Sequence, residues 1–214
     1  IGLALLWPGL LAAVVCGAAG GLFARLLLAS LRGTSPDLPS RWRARYPVRF
    51  ALGCGLVVAL IGIVSGGATY GSGNEATRGL LENEASVPVA FALFKFVATW
   101  LTAWSGVPAG IFAPSLSIGA ALGHDIAVLT GYPHAPALIA LGMVGFLAAA
   151  TQAPLTAFII VMEMVDGHGM VLSLMACAVV ASTVSRVLGP PLYGALAAIQ
   201  LPPRPVREGN GERD

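Results

Sequence analysis

The sequence predicts an all-α membrane protein, a multi-helix bundle with short, tilted and broken transmembrane helices. Three observations lead there: scarce charge, long apolar runs, and repeated interruption of those runs by glycine and proline. Of 214 residues, 57% are hydrophobic and 10% charged, whereas a soluble domain carries about 25% charged residues. Mean hydropathy is +0.82. So few charges cannot cover a water-exposed globule of this size, and a bilayer asks for no such cover.

The elements follow in order. Residues 2–31 form one long apolar run, with Pro8 near its start and Arg25 near its end, and residues 47–69 form a second. Both can span a hydrocarbon core of about 30 Å. The polar, glycine-rich stretch from Gly71 to Ser86 predicts a short helix over 75–84, with Asn74 as its N-cap. After Pro88 the runs shorten to 88–104, 110–130, 136–150 and 154–165, followed by a full-length helix over 169–188 and a last short one over 192–199. The breaks fall at 105–110, 151–154 and 189–191. Apolar pieces of eight to fifteen residues are too short to span alone. Backbone ends at membrane depth persist only where protein or a watery cavity satisfies them, and such broken helices mark transporters that bind ions near the midplane. Glycines four apart, Gly17 with Gly21, Gly62 with Gly66 and Gly119 with Gly123, predict close helix crossings.

Charge and cysteine exclude several classes. A net charge of +2 is too small to imply a nucleic-acid partner. Arg25, Arg32, Arg41, Arg43, Arg45 and Arg49 make up six of the twelve basic residues. Basic short loops stay cytoplasmic, so the loop over 32–49 and the polar tail are placed on that side. The tail over 202–214 reads as disordered. Cys16, Cys54 and Cys177 stand alone in apolar runs and read as packing residues, not metal ligands or disulfide partners. Paired carboxylates, a Ser/His pair and a His-Glu-x-x-His run are all missing from the sequence, so no enzyme, metal or cofactor is expected. The chain opens at Ile1, inside an apolar run and without a charged leader, which predicts a piece of a longer protein.

The segment SGVPAGIFAPSLSIGAALG, from Ser105 to Gly123, carries the sharpest chemical signal. Gly106, Pro108 and Gly110 make an irregular loop, and a helix starts near 111–114, where Pro114 suits a first turn. The first N–H groups of that helix, at Gly110, Ile111 and Phe112, have no intrahelical partner. They carry the positive end of the helix dipole and can hold an anion without a full positive charge, which suits an ion that must leave again.

These residues resemble the GIFAP-type signature of the CLC family of chloride channels and proton-chloride antiporters. Thr151-Gln152-Ala153-Pro154-Leu155-Thr156, with Glu163-Met164 following, is similar to that family's RAPLT…E-M segment, and Gly189-Pro190-Pro191-Leu192-Tyr193 resembles its K-P-L-Y segment. The three motifs stand in the family's order and spacing, over roughly residues 1–200. The resemblance implies the C-terminal half of a CLC membrane domain over 1–201, one half of an inverted-repeat transporter fold. It implies anion binding by the amides of Ile111 and Phe112, with Gly110 beside them and the Tyr193 hydroxyl as a further donor. It implies a homodimer, chloride or a similar small anion as the transported ligand, and a bacterial inner membrane. It also implies that a serine ligand and the gating and proton-path glutamates belong to a missing N-terminal half.

Other residues are less determined. Tyr193 also suits an interfacial aromatic anchor. Lys95 offers electrostatic support to an anion, and equally suits snorkelling or a carboxylate partner. Glu163 reads as structurally paired, and His124-Asp125 as a helix break or cap. Gly71-Ser72-Gly73-Asn74 marks the break of the second repeat. Gln152 and Pro190 stand where relatives often carry basic residues, which changes the electrostatics of that side. A non-transporting membrane scaffold, or an unrelated broken-helix transporter, would share the hydropathy but lose selective anion binding.

Overall fold

The computed structural model describes residues 5–32, 38–82 and 90–200. Their regular structure is helical: α1 (Leu6–Arg32), α2 (Leu38–Arg45), α3 (Pro47–Val64), α4 (Asn74–Leu81), α5 (Phe91–Trp104), α6 (Phe112–Thr130), α7 (Ala135–Thr151), α8 (Pro154–Met164), α9 (Val171–Leu188) and α10 (Leu192–Gln200). α1, α3, α6 and α9 with its preceding 3-10 turn are long and apolar enough to cross a membrane. α5, α7 and α8 are apolar but shorter, as the interrupted runs predict.

α7 is the hub. Every residue from 138 to 150 is buried, and α1, α6, α8 and α9 pack around it. A helix apolar on all sides has to be enclosed by protein or lipid, and here protein encloses it. Close crossing is achieved by removing side chains. A Cβ on Gly119 or Gly123 would collide with the α7 backbone, and one on Gly142 would collide with the carbonyl of Gly119. Gly17 and Gly21 do the same for α1 against Ala181 and Ser185 of α9. The third glycine pair behaves otherwise. Gly62 makes room for the ring of Tyr70, a few residues on in the same chain segment, and Gly66 faces open space, so this spacing marks a turn and not a helix crossing.

Four further expectations are corrected. The loop over 32–49 contains a helix, α2, whose Arg and Ala are good helix formers. Its Trp42 packs edge-on against Phe50 of α3. The second apolar run stops at Val64 and not at 69, because Gly66 and Gly67 take left-handed conformations (φ 64° and 87°) and Ser65 Oγ donates to the carbonyl of Gly62 at 3.0 Å. Asn74 is the first helical residue and not a cap. Gly73, at φ 88°, holds the cap position, and α4 ends at Leu81. α6 runs unbroken through His124 and Asp125, since both residues can sit in a helix whose backbone bonds are already made. The tail over 202–214 and Glu84 lie outside the described residues.

Replacing Gly142 by Ala inserts a methyl into the α6–α7 crossing. Overpacking of this kind costs about 1–3 kcal/mol, so thermal unfolding in detergent should begin several degrees earlier. Gly55→Ala on α3, where nothing lies within 4 Å, should show no loss.

Candidate anion site at the start of α6

Three amides are left open where α5 gives way to α6. α5 closes with Ser105, whose Oγ donates to the carbonyl of Thr102 at 2.6 Å and accepts from Val107 N–H at 3.3 Å. Gly106, at φ 85°, then turns the chain into an extended stretch. Helix α6 begins at Phe112 with Ile111 in the N-cap position and no side-chain cap. Caps come from Ser, Thr, Asp or Asn, and neither Ile111 nor its neighbours Gly110 and Phe112 can supply one. Pro114 has no N–H, and the ladder begins with Ser115 N–H donating to Ile111 C=O at 3.0 Å. The orphan donors are therefore Ile111, Phe112 and Ala113, with Gly110 beside them. Among the described residues none of the four finds an acceptor. Ala113 went unnoticed in the sequence because the helix starts one residue later than the glycine suggests.

These residues face a cavity of about 620 Å³. Residues 109–114 form one wall; Lys95, Thr99 and Thr102 of α5 form another; residues 69–72 and Val58 complete it. No carboxylate is among the described lining residues. The threonines are already committed, Thr99 Oγ1 donating to Lys95 C=O and Thr102 Oγ1 to Ala98 C=O, each at 2.7 Å. The positive contributions are thus the α6 terminus and the Lys95 ammonium. Lys95 does not snorkel, and among the described residues it pairs with no carboxylate. It is 2% exposed and donates to the carbonyls of Thr69 and Gly71 at 2.9 and 2.7 Å.

Gly110, Ile111, Phe112 and Lys95 therefore share one cavity, and Tyr193 stands outside it. Tyr193 lies in the first turn of α10 and is half-exposed. Its neighbour Leu192 is buried in the cluster of Phe23 and Phe146, against which Ile111 also packs. The two motifs thus meet through their apolar neighbours. Glu163, at the exposed end of α8, lies 3.9 Å from His168 Nε2, and His168 Nδ1 lies 2.9 Å from Asp166 Oδ1, a surface pairing within the α8–α9 turn.

Gln152 has a role the sequence did not reveal. It sits in the left-handed region at φ 55°, and its Nε2 donates to Gly189 C=O at 2.8 Å. Ser185 Oγ, 3.4 Å from the same nitrogen, donates to Ala149 C=O at 2.6 Å. The α7–α8 corner is thereby fastened to the C-terminal end of α9. Only the break at 151–154 hinted at this.

Short apolar helices around a buried hub, with an uncapped helix start opening on a cavity that has no carboxylate among its described lining residues, define a broken-helix membrane transport fold. The family model described as voltage gated chloride channel matches residues 1–186, and the chain belongs to this CLC family. Among curated relatives, it is 31% identical over 211 residues to an H(+)/Cl(-) exchange transporter ClcA of Cronobacter sakazakii, covering 90% of this chain and 43% of that protein. It is 30% identical to the ClcA of Citrobacter koseri, covering 90% and 42%. Among solved structures, a CLC-type fluoride/proton antiporter superimposes with a TM-score of 0.76 at 22% identity, covering 91% of this chain and 47% of that one; this likeness speaks for the fold. The chain spans less than half the length of the curated relatives it matches.

Gln152→Ala removes both contacts to the end of α9 and leaves Gly189 C=O without its donor, costing about 1–3 kcal/mol; the left-handed backbone is common to both residues. Limited proteolysis should then cut first near residues 189–191, with the α6–α7 core still protected.

Proposed function

We propose that this chain forms the C-terminal half of an anion-transporting membrane domain and holds chloride, or a similar small anion, at the start of α6. One observation carries the reading: the amides of Ile111, Phe112 and Ala113 are uncapped and open on a cavity with no lining carboxylate among the described residues. Unsatisfied amides away from bulk water are costly, and an anion satisfies them while the helix dipole adds attraction. The hold is firm enough for entry and, lacking a full charge in direct contact, weak enough for exit.

Tyr193 lies outside the cavity lining and is the further donor in this reading by its motif, with its neighbour Leu192 sharing a cluster with Ile111, so that its hydroxyl would meet the ion beyond the cavity on the α10 side. The segments that complete the ion's shell come from outside this chain, in keeping with the share of its relatives that it spans. Proton-coupled exchange is favoured over a passive channel, because the relatives it matches are H(+)/Cl(-) exchange transporters. The protein acts as a homodimer in a bacterial inner membrane, with the Arg-rich α2 and the C-terminus cytoplasmic. Exposed apolar residues on α8 and α9, such as Ile159 and Val179, support a subunit face there. Neither a cofactor nor a nucleic acid enters this function.

The test uses the full-length protein, with its upstream half, in chloride-loaded liposomes. Chloride efflux is expected; a tight bilayer with no flux would leave the scaffold reading standing. Phe112→Pro removes one amide donor at a position where a helix tolerates proline. Relative to Phe112→Ala it should weaken chloride affinity by roughly tenfold or more, the worth of a hydrogen bond to a charged partner. Tyr193→Phe should weaken it by about 2- to 10-fold, as for a neutral donor.

A further inference from the structure

We infer that the junction of α2 and α3 is a binding site for an anionic phospholipid, whose phosphate sits between Arg45 and Arg49 and whose acyl chains run down the outer face of α3. This site is independent of the anion site at α6. Arg41, Arg43, Arg45 and Arg49 follow one another within nine residues, and none of them forms an ion pair among the described residues. Asp37, the one carboxylate in the sequence between Arg25 and Tyr70, lies outside the described residues and is one charge against four. The acidic groups gather at the other end of the bundle. α1 and α9 run parallel, since Gly17 faces Ala181 and Gly21 faces Ser185, so α2 follows on the side where α9 ends. Gln152 ties the end of α7 to that same side, whereas Glu82, Glu163 and Asp166 line a cavity with Pro136, at the start of α7. A countercharge for the arginines has to come from outside the described fold.

A column of rings fixes α2 in place. Trp42 packs edge-on against Phe50 of α3, Phe50 packs edge-on against Trp104 of α5, and Trp104 stacks on Trp100 at 5.1 Å. Arg43 Nη1 donates to Ser30 C=O at 3.3 Å and adds a tie to α1. Tryptophan rings of this kind settle at headgroup depth. Arg45 and Arg49 both lie against the ring of Tyr46, their guanidinium carbons 5.6 and 5.2 Å from its centroid. The ring attracts each cation and so gathers two like charges, which repel unless an anion lies between them. A phosphate accepts paired N–H bonds from a guanidinium, and anionic lipid attracts arginines at the membrane surface. Directly beside this pair the surface turns apolar. Arg49, Leu52, Leu56 and Leu60 recur at the spacing of one helix face, and the three leucines are exposed, as is Val48. Within α3 only Phe50, Cys54 and Gly62 are buried. A charged head above an apolar stripe is the shape of one phospholipid. A soluble anion or a nucleic acid would leave the stripe unused.

The experiment titrates the full-length protein, with its upstream half, in detergent with dioleoylphosphatidylglycerol or dioleoylphosphatidylcholine. It reads bound lipid by native mass spectrometry, together with the rise in unfolding temperature. Wild type should bind the anionic lipid roughly tenfold or more tightly than the zwitterionic one. Arg45→Gln/Arg49→Gln should weaken phosphatidylglycerol binding by roughly 30-fold, about fivefold for each arginine, and leave phosphatidylcholine binding unchanged. Arg45→Lys/Arg49→Lys keeps the charge, loses the paired donors, and should fall between the two. Arg186→Gln, on α9, which packs on α1 and α7, should stay within about twofold of wild type because the attraction is local. Inorganic phosphate and glycerophosphoglycerol, which lack acyl chains, should displace the lipid only at roughly a hundredfold higher concentration or more. A wild type with no preference for phosphatidylglycerol overturns the inference, as it would if the upstream half covered the stripe. A Gln pair that binds phosphatidylglycerol like wild type overturns it too. So does an Arg186→Gln loss as large as that of the pair, the mark of diffuse attraction without a site. Displacement by phosphate at equal concentration marks a free-anion site and has the same consequence. If the Gln pair does not fold, Arg45→Gln and Arg49→Gln are read singly, each about fivefold weaker, and wild-type binding by both overturns the inference.

Discussion

The structure turns on an incomplete helix. α6 starts with Ile111, Phe112, Ala113 and Pro114, four residues that cannot cap it. Soluble proteins avoid such a start, because each orphan amide away from water costs a hydrogen bond's worth of free energy. Here the defect fronts a cavity lined by α5 on one side and the turn after α3 on another, and is reached through a loop bent by Gly106. Among the described residues its lining holds no carboxylate, and the hydroxyls of Thr99 and Thr102 donate to their own helix. What remains unsatisfied among the described residues is a set of donors with one sign, and the proposed anion role rests on that.

Keeping that site in register demands a rigid frame, and the frame is made from the absence of side chains. Without a hydrophobic drive between helices in lipid, association depends on close packing. Gly119, Gly123 and Gly142 bring α6 and α7 into backbone contact, and Gly17, Gly20 and Gly21 bring α1 against α7 and α9. Larger aromatic residues fill the other end: Phe23, Phe96 and Phe146 meet edge-on or tilted, and Trp100 Nε1 donates to Ser30 Oγ across to α1.

Much of this was legible in the sequence. Helix limits fell within a few residues of the apolar runs wherever proline or glycine closed them, as at Pro47, Pro154 and Gly131. The start of α6 was visible in Gly110 and Pro114. The errors lie where local chemistry contradicts composition. An arginine-rich stretch reads as loop, yet Leu38–Arg45 is helical because arginine and alanine favour a helix. Asn74 looks like a cap, yet Gly73 takes the left-handed conformation that the turn needs. The Lys95 and Gln152 contacts join residues 24 and 37 positions apart, and no periodicity reports a hydrogen bond to a distant carbonyl. The cavity was equally out of reach, because a cavity is made by where several elements stop.

The shortness of α8 bears on how the chain enters a bilayer. Its eleven residues rise about 16 Å at 1.5 Å per residue, close to half of a hydrocarbon core. Such a segment cannot rest in lipid as a free-standing span while synthesis continues, because its terminal carbonyls and amides would sit in oil. It must stay at the translocon or at the interface until α9, which follows after the turn at residues 165–170, is made and the two can enter against α7 as a unit. Insertion of this region is therefore cooperative across a hairpin, and the order of assembly is written into a helix that stops too soon.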